Sequence, residues 1–184
     1  MNRRELLKMI TLATGTAIVG GNALLAGCAR STAPVQTFDT SDIALLDEVA
    51  ETIIPRTDTP GAKDAQVGQL MTVMVNDCYT TEEQTIFHHG ILELEAASLA
   101  EYGKGFMELS GDNRHSLVTA LDAGAREYNA QHSDRHYFTM IKQLTLFGFF
   151  TSKVGATEVL RYEAVPGRYD GCVPYEEGDR AWAT

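Results

Sequence analysis

The sequence is 184 residues long, with 15 lysines and arginines against 25 aspartates and glutamates, a formal net charge of −10 and 44% hydrophobic residues. This acidic balance argues against a nucleic-acid binder, which needs a basic surface for phosphate, and against peripheral attachment to anionic lipid. The length suffices for one domain with a substantial core.

The first stretch reads Asn2-Arg3-Arg4-Glu5-Leu6-Leu7-Lys8, followed by a weakly apolar run from Met9 to Leu24 and then Leu25-Ala26-Gly27-Cys28. Adjacent arginines (Arg3, Arg4), two leucines (Leu6, Leu7) and Lys8 ahead of a short apolar segment read as a twin-arginine export signal, spanning residues 1–27. Met9 to Leu25 is 17 residues and carries Thr11, Thr14, Gly15, Thr16, Gly20, Gly21 and Asn22. It thus falls at the lower edge of the roughly 17–25 residues that cross a bilayer. An uncleaved N-terminal anchor is the alternative. Leu25-Ala26-Gly27-Cys28 resembles the lipobox of bacterial lipoproteins, in which the cysteine sulfur takes a diacylglycerol. Two or more acyl chains give stable anchoring, at about 0.8 kcal/mol per buried CH₂. Ala29 follows in place of an aspartate, so no inner-membrane retention mark is present. The expectation is a protein of the periplasm, lipid-anchored at Cys28 to a bacterial membrane and tethered by residues 28–37. The twin-arginine pathway carries proteins already folded, usually because a cofactor must be inserted first, yet the rest of the chain shows no site for a large cofactor.

Residues 38–184 form the predicted domain. The first 27 residues hold Arg3, Arg4, Lys8 and Glu5, so residues 28–184 keep 12 basic and 24 acidic side chains and a formal charge of −12. Asp39-Thr40-Ser41-Asp42 offers helix N-caps, and Ile43, Leu46, Ala50, Ile53 and Ile54 share one helix face until Pro55 ends it. Pro55-Arg56-Thr57-Asp58-Thr59-Pro60-Gly61-Ala62 reads as a polar, turn-rich loop. A second helix is predicted from Asp64 to Tyr79, with Val67, Leu70, Met71, Met74 and Cys78 on its apolar stripe. Thr80 with Glu83, or Thr81 with Gln84, forms a capping box opening a third helix. That helix turns Ile86, Phe87, Ile91, Leu94 and Leu99 inward and ends near Tyr102, before Gly103 and Gly105. Ser110 or Asp112 caps a fourth helix to about Asn129, with Leu117, Val118, Leu121, Ala125 and Tyr128 inward. A fifth, from about Arg135 to Ser152, is apolar nearly all round. Such a helix is central in its fold or covered by a partner. Residues 157–162 add a turn or two. Beyond Pro166 no periodicity survives. The predicted fold is all-α, a compact bundle of about five helices with an irregular C-terminal tail.

Once Cys28 is lipidated, Cys78 and Cys172 remain. A bond between them would close a loop of about 94 residues, worth about 4–5 kcal/mol by chain entropy. Cys78 instead reads as a buried small hydrophobe and Cys172 as an exposed thiol. An internal disulfide and a bond from Cys172 to a partner both stay open.

Thr52-Ile53-Ile54-Pro55-Arg56-Thr57-Asp58-Thr59-Pro60-Gly61-Ala62 resembles the signature of the gluconate 2-dehydrogenase subunit 3 family. Asp77-Cys78-Tyr79 and the closing Pro166-Gly167-Arg168-Tyr169-Asp170-Gly171-Cys172-Val173-Pro174 are similar to the same family. The resemblance implies a small non-catalytic subunit with no cofactor of its own. Its implied partner is a flavoprotein dehydrogenase large subunit of the glucose–methanol–choline type, carrying FAD, often with a cytochrome c subunit. The small subunit would engage the twin-arginine translocase and escort the folded flavoprotein. The lipobox departs from many members and points to membrane attachment through this chain.

Arg56, Thr57 and Asp58 in the signature loop, and Arg168, Tyr169, Cys172, Tyr175, Arg180 and Trp182 in the tail, are the expected partner interface, since Arg, Tyr and Trp dominate interface hot spots. The competing expectation is that the tail packs back on its own bundle. His132 and His136, four apart, invite a metal reading, but no third ligand lies nearby in sequence. His88 and His89 diverge on a helix. No Cys-x-x-Cys, no phosphate loop after a strand and no nucleophile elbow occurs, so no catalytic, cofactor or metal residues are assigned. The alternative is a stand-alone periplasmic lipoprotein that binds metal or acts as an enzyme through its histidines and carboxylates; a purely structural envelope lipoprotein is a third.

Overall fold

Four of the five α-helices begin at a residue whose own side chain caps them, as seen in a computed structural model that describes residues 37–183. The predicted export residues Arg3, Arg4, Leu6, Leu7 and Lys8, the lipidation site Cys28 and most of the tether lie outside the described residues. Five α-helices form the body: α1 Thr40–Ile53, α2 Val67–Cys78, α3 Thr81–Tyr102, α4 Gly111–Gln131 and α5 Tyr137–Thr151. Short 3-10 turns span Ala62–Ala65 and Phe106–Glu108, and a π turn spans Gly155–Val159. The described residues hold no β-strand, only an isolated bridge between Arg161 and Trp182. The all-α bundle is therefore as expected.

The caps explain the boundaries. Asp39 accepts from the Ser41 and Asp42 N–H groups, while Asp42 takes the Asp39 N–H in return. Thr80 and Glu83 make the same reciprocal pair at α3, and Ser110 accepts from the Asn113 N–H at α4. Each satisfies amides that have no partner inside a first turn. At α5 the capping acceptor is His136 Nδ1, 3.2 Å from the Phe138 amide.

Several boundaries differ from expectation: α4 runs on to Gln131, and the last turn spans Gly155–Val159 rather than residues 157–162. Residues 62–65 form a 3-10 turn rather than the start of α2, because Gln66 adopts a left-handed backbone (φ 52°) that breaks the helix. The helix predicted from Arg135 begins at Tyr137, because His136 stands in extended conformation as its cap.

Helix α5 packs against all four others, so its apolar girth is used on most sides. Phe138, Met140, Ile141 and Phe149 are fully enclosed with Leu46, Val49, Met71, Phe87 and Leu94. Burial of each such side chain contributes about 1.5–3 kcal/mol. Leu146, Phe147 and Phe150 remain exposed, by 40%, 49% and 38%. Leu99, predicted inward, is 54% exposed, as it falls on the same outer line of α3 as Leu92. Cys78, predicted to be buried, ends α2 and is exposed; it and Cys172 are free thiols.

The α3–α5 contact is so close that a Cβ on Gly90 would overlap Tyr137 Cβ and Cγ. Gly90→Ala should therefore destabilise by about 1–3 kcal/mol through overpacking, against the roughly 1 kcal/mol that alanine gains in helix propensity. Urea denaturation measures this directly.

Candidate partner interface

The signature loop is an excursion between α1 and the first 3-10 turn, closed by the Ala62 N–H donating to the Ile54 carbonyl at 2.9 Å. Carboxylates hold it from within. Glu51, on the last turn of α1, accepts from the Arg56 N–H at 2.8 Å through one oxygen and from the Lys63 N–H at 2.9 Å through the other. Asp64 accepts from the Gly61 N–H at 2.9 Å and pairs with the Arg56 guanidinium. A side chain at Gly61 would collide with the Glu51 carboxylate, which is why glycine stands there. Lys63 pairs with Glu48, and Glu48 also pairs with Arg114 of α4, reaching 66 positions along the chain. Arg114 further donates to the carbonyls of Phe106 (3.1 Å) and Met107 (2.8 Å). The result is a braced loop whose tip, Thr57-Asp58-Thr59, faces solvent. Arg56 is exposed but its head is engaged by Asp64.

The tail does not lie on the bundle. Every residue from Tyr162 to Trp182 is exposed. Tyr169 is 94% and Tyr175 76% exposed. The tail returns at its base, where Arg161 and Trp182 form a parallel bridge: the Arg161 N–H donates to the Ala181 carbonyl at 2.8 Å and the Ala183 N–H to the Arg161 carbonyl at 3.0 Å. Parallel pairing cannot be joined by a tight turn and needs a crossover of a dozen or more residues, which residues 162–180 supply. We call this segment the arm. Arg180 donates to the Glu158 carbonyl at 2.9 Å, and the Arg161 guanidinium lies 4.0 Å above the Trp182 ring. Along the arm itself Arg168 pairs with Asp170 at 2.7 Å, and Glu176 and Asp179 close a turn at Gly178 (φ 94°). Of the predicted interface residues, Arg168, Tyr169, Cys172 and Tyr175 are exposed along the arm, whereas Arg180 and Trp182 build its base.

The histidines have other work. His132 Nδ1 lies 2.9 Å from the Tyr128 carbonyl and its ring stacks on Tyr128 (centroids 4.0 Å apart); His136 caps α5. Among the described residues, no group of three or more His, Cys, Asp or Glu is placed to hold a metal. Tyr128 donates to Asp134 at 2.6 Å, which lowers the pKa of the carboxyl and raises that of the phenol. Burial pushes Tyr137 up to about 12.

His136 makes the fold sensitive to mild acid. Burial lowers its pKa below the ordinary 6.5, with Glu93 opposing, and its Nδ1 must be unprotonated to cap α5. Stability is complete above pH 6.5 and falls as the pH drops from there towards the folded-state value, since only the unfolded chain then takes the proton. His136→Asn keeps a cap acceptor without titrating, and thermal melts between about pH 7.5 and 5.5 should show a flatter decline for it. The carboxylates of Asp39, Glu83 and Asp122 act lower down: each has a folded-state pKa below its ordinary value, so its contribution disappears only as the pH falls through that value. Asp122 is held down chiefly by its hydrogen bond from Lys142, at 2.7 Å.

Sequence reading located the loop and the tail but missed Glu48, Glu51, Asp64, Arg114 and Arg161, which shape them. Asp64, three residues beyond Gly61, could have been found as a capping-box carboxylate. The others act across the fold and leave no local pattern.

Residues 40–167 match the model of a known family, described as gluconate 2-dehydrogenase subunit 3. The matched span takes in all five helices and the signature loop and stops at Gly167, within the arm. No curated protein and no solved structure matches the chain.

Proposed function

Because the chain belongs to the gluconate 2-dehydrogenase subunit 3 family and is thus placed with a dehydrogenase complex as an accessory subunit, we propose that it escorts a flavin-dependent sugar or alcohol dehydrogenase through twin-arginine export and anchors it to a bacterial membrane. The partner carries FAD and the catalytic residues; this chain carries none. Arg3 and Arg4, with Leu6, Leu7 and Lys8, address the complex to the twin-arginine translocase, and Cys28 takes the lipid.

The observation that carries this reading is the arm: 19 residues, 162–180, all exposed, bearing Arg168, Tyr169 and Tyr175 on a closed base. Tyrosine and arginine are enriched at interface hot spots, and a self-packing tail would bury them instead. The braced tip at Thr57-Asp58 and the exposed Phe147 and Phe150 of α5 offer further contact area. A substrate pocket in the partner sets specificity, so the substrate is not written in this chain.

Cells that make the dehydrogenase with an Arg3→Lys, Arg4→Lys double variant of this chain test the escort role. The expected result is flavoprotein retained in the cytoplasm. Normal export of the flavoprotein in those cells, or in cells lacking this chain altogether, overturns it.

A further inference from the structure

We propose that Arg161 and Trp182 form a clasp that holds the arm closed and pre-shaped for its partner, acting as positioning residues rather than contact residues. The arm has no core of its own. It borders an open groove of about 550 Å³ whose lining includes Arg161, Tyr175, Arg180 and Trp182. Its ends are therefore what define its shape. Two backbone hydrogen bonds and the Arg180–Glu158 contact join those ends, but such isolated pairs in solvent are weak without packing around them. The indole supplies that packing. Arg161 Nε is buried and has no hydrogen-bond acceptor, so its desolvation is offset by the ring face 4.0 Å from the guanidinium carbon. Closing the base in advance removes the loop-closure part of the ordering cost that partner binding would otherwise meet. Trp182 is the single tryptophan of the sequence and is 44% exposed.

The partner half of this proposal rests on the accessory-subunit reading above; the clasp itself does not. Amide hydrogen exchange of the full-length chain tests the clasp. In Trp182→Ala, the Arg161 and Ala183 amides should exchange at least about tenfold faster than in the parent, with helix amides and melting temperature unchanged. Trp182→Phe, which keeps a ring under the guanidinium, should restore most of the protection. The dehydrogenase polypeptide that co-purifies with the full-length chain should dissociate about tenfold faster from Trp182→Ala and near the parental rate from Trp182→Phe. Equal exchange in Trp182→Ala and parent overturns the clasp. Lost protection with parental dissociation overturns its role in shaping the arm and leaves the subunit reading standing. If no polypeptide co-purifies with the parent chain, the subunit reading fails, and exchange still decides the clasp.

Discussion

Replacing residues 163–179 with a Gly/Ser segment of equal length should abolish recovery of the dehydrogenase with this chain while leaving the melting temperature of the bundle unchanged. No residue of that stretch is buried, so its removal takes away no core burial. Equal length preserves the crossover that the Arg161–Trp182 parallel bridge requires. What is lost is Arg168, Tyr169 and Tyr175. Truncation of a single hot-spot residue costs about 2 kcal/mol or more, roughly thirtyfold in affinity. Affinity capture from detergent-solubilised membranes, paired with thermal melts, reads both halves. Undiminished recovery would move the contact surface to the signature loop or to Phe147 and Phe150.

Arg114→Ala should be the most costly single change outside the apolar core, at about 3 kcal/mol. Its side chain is 18% exposed and that of Glu48 14%, so the pair is mostly shielded from water. Loss of the guanidinium leaves Glu48 with Lys63 alone, removes the donor to the Met107 carbonyl and leaves the Phe106 carbonyl only the Leu109 N–H. It also removes the cation 5.7 Å from the Phe106 ring centroid. Because Glu48 also holds Lys63, the change should loosen the signature loop and speed exchange of the Arg56 and Lys63 amides. Both of those amides donate to Glu51. Replacing both charged partners, as Glu48→Leu with Arg114→Met, should cost less than the sum of the single changes, since no shielded charge is then left alone. Additive costs in urea denaturation would show that the two side chains act independently.

Much of the bundle was legible because helix starts are local chemistry. Asp39, Thr80 and Ser110 each cap the helix they precede, and Pro55 and Gly103 each stand just past the end of one. What periodicity could not supply was the outer limit of the core. Leu99 keeps helical register with Leu92, yet that line is exposed; Leu146, Phe147 and Phe150 are exposed on one side of a central helix that no other described helix covers. Gln66 has no feature that announces a left-handed backbone. The candidate interface was legible as composition and position but not as architecture. Arg161 and Trp182 meet through a bridge between residues 21 positions apart, and Arg114 braces a loop from another helix. Such pairings are set by the tertiary fold, so no window of sequence contains them.

The central proposal is that this chain carries an export address and a grip for a flavoprotein dehydrogenase. Affinity capture of the full-length chain from membranes, with protein identification and an absorbance spectrum of the captured material, tests that most directly. The expected result is a dehydrogenase polypeptide in fixed proportion to this chain, with flavin absorbance. Capture of the chain alone, with no flavin and with substrate turnover of its own, would contradict it.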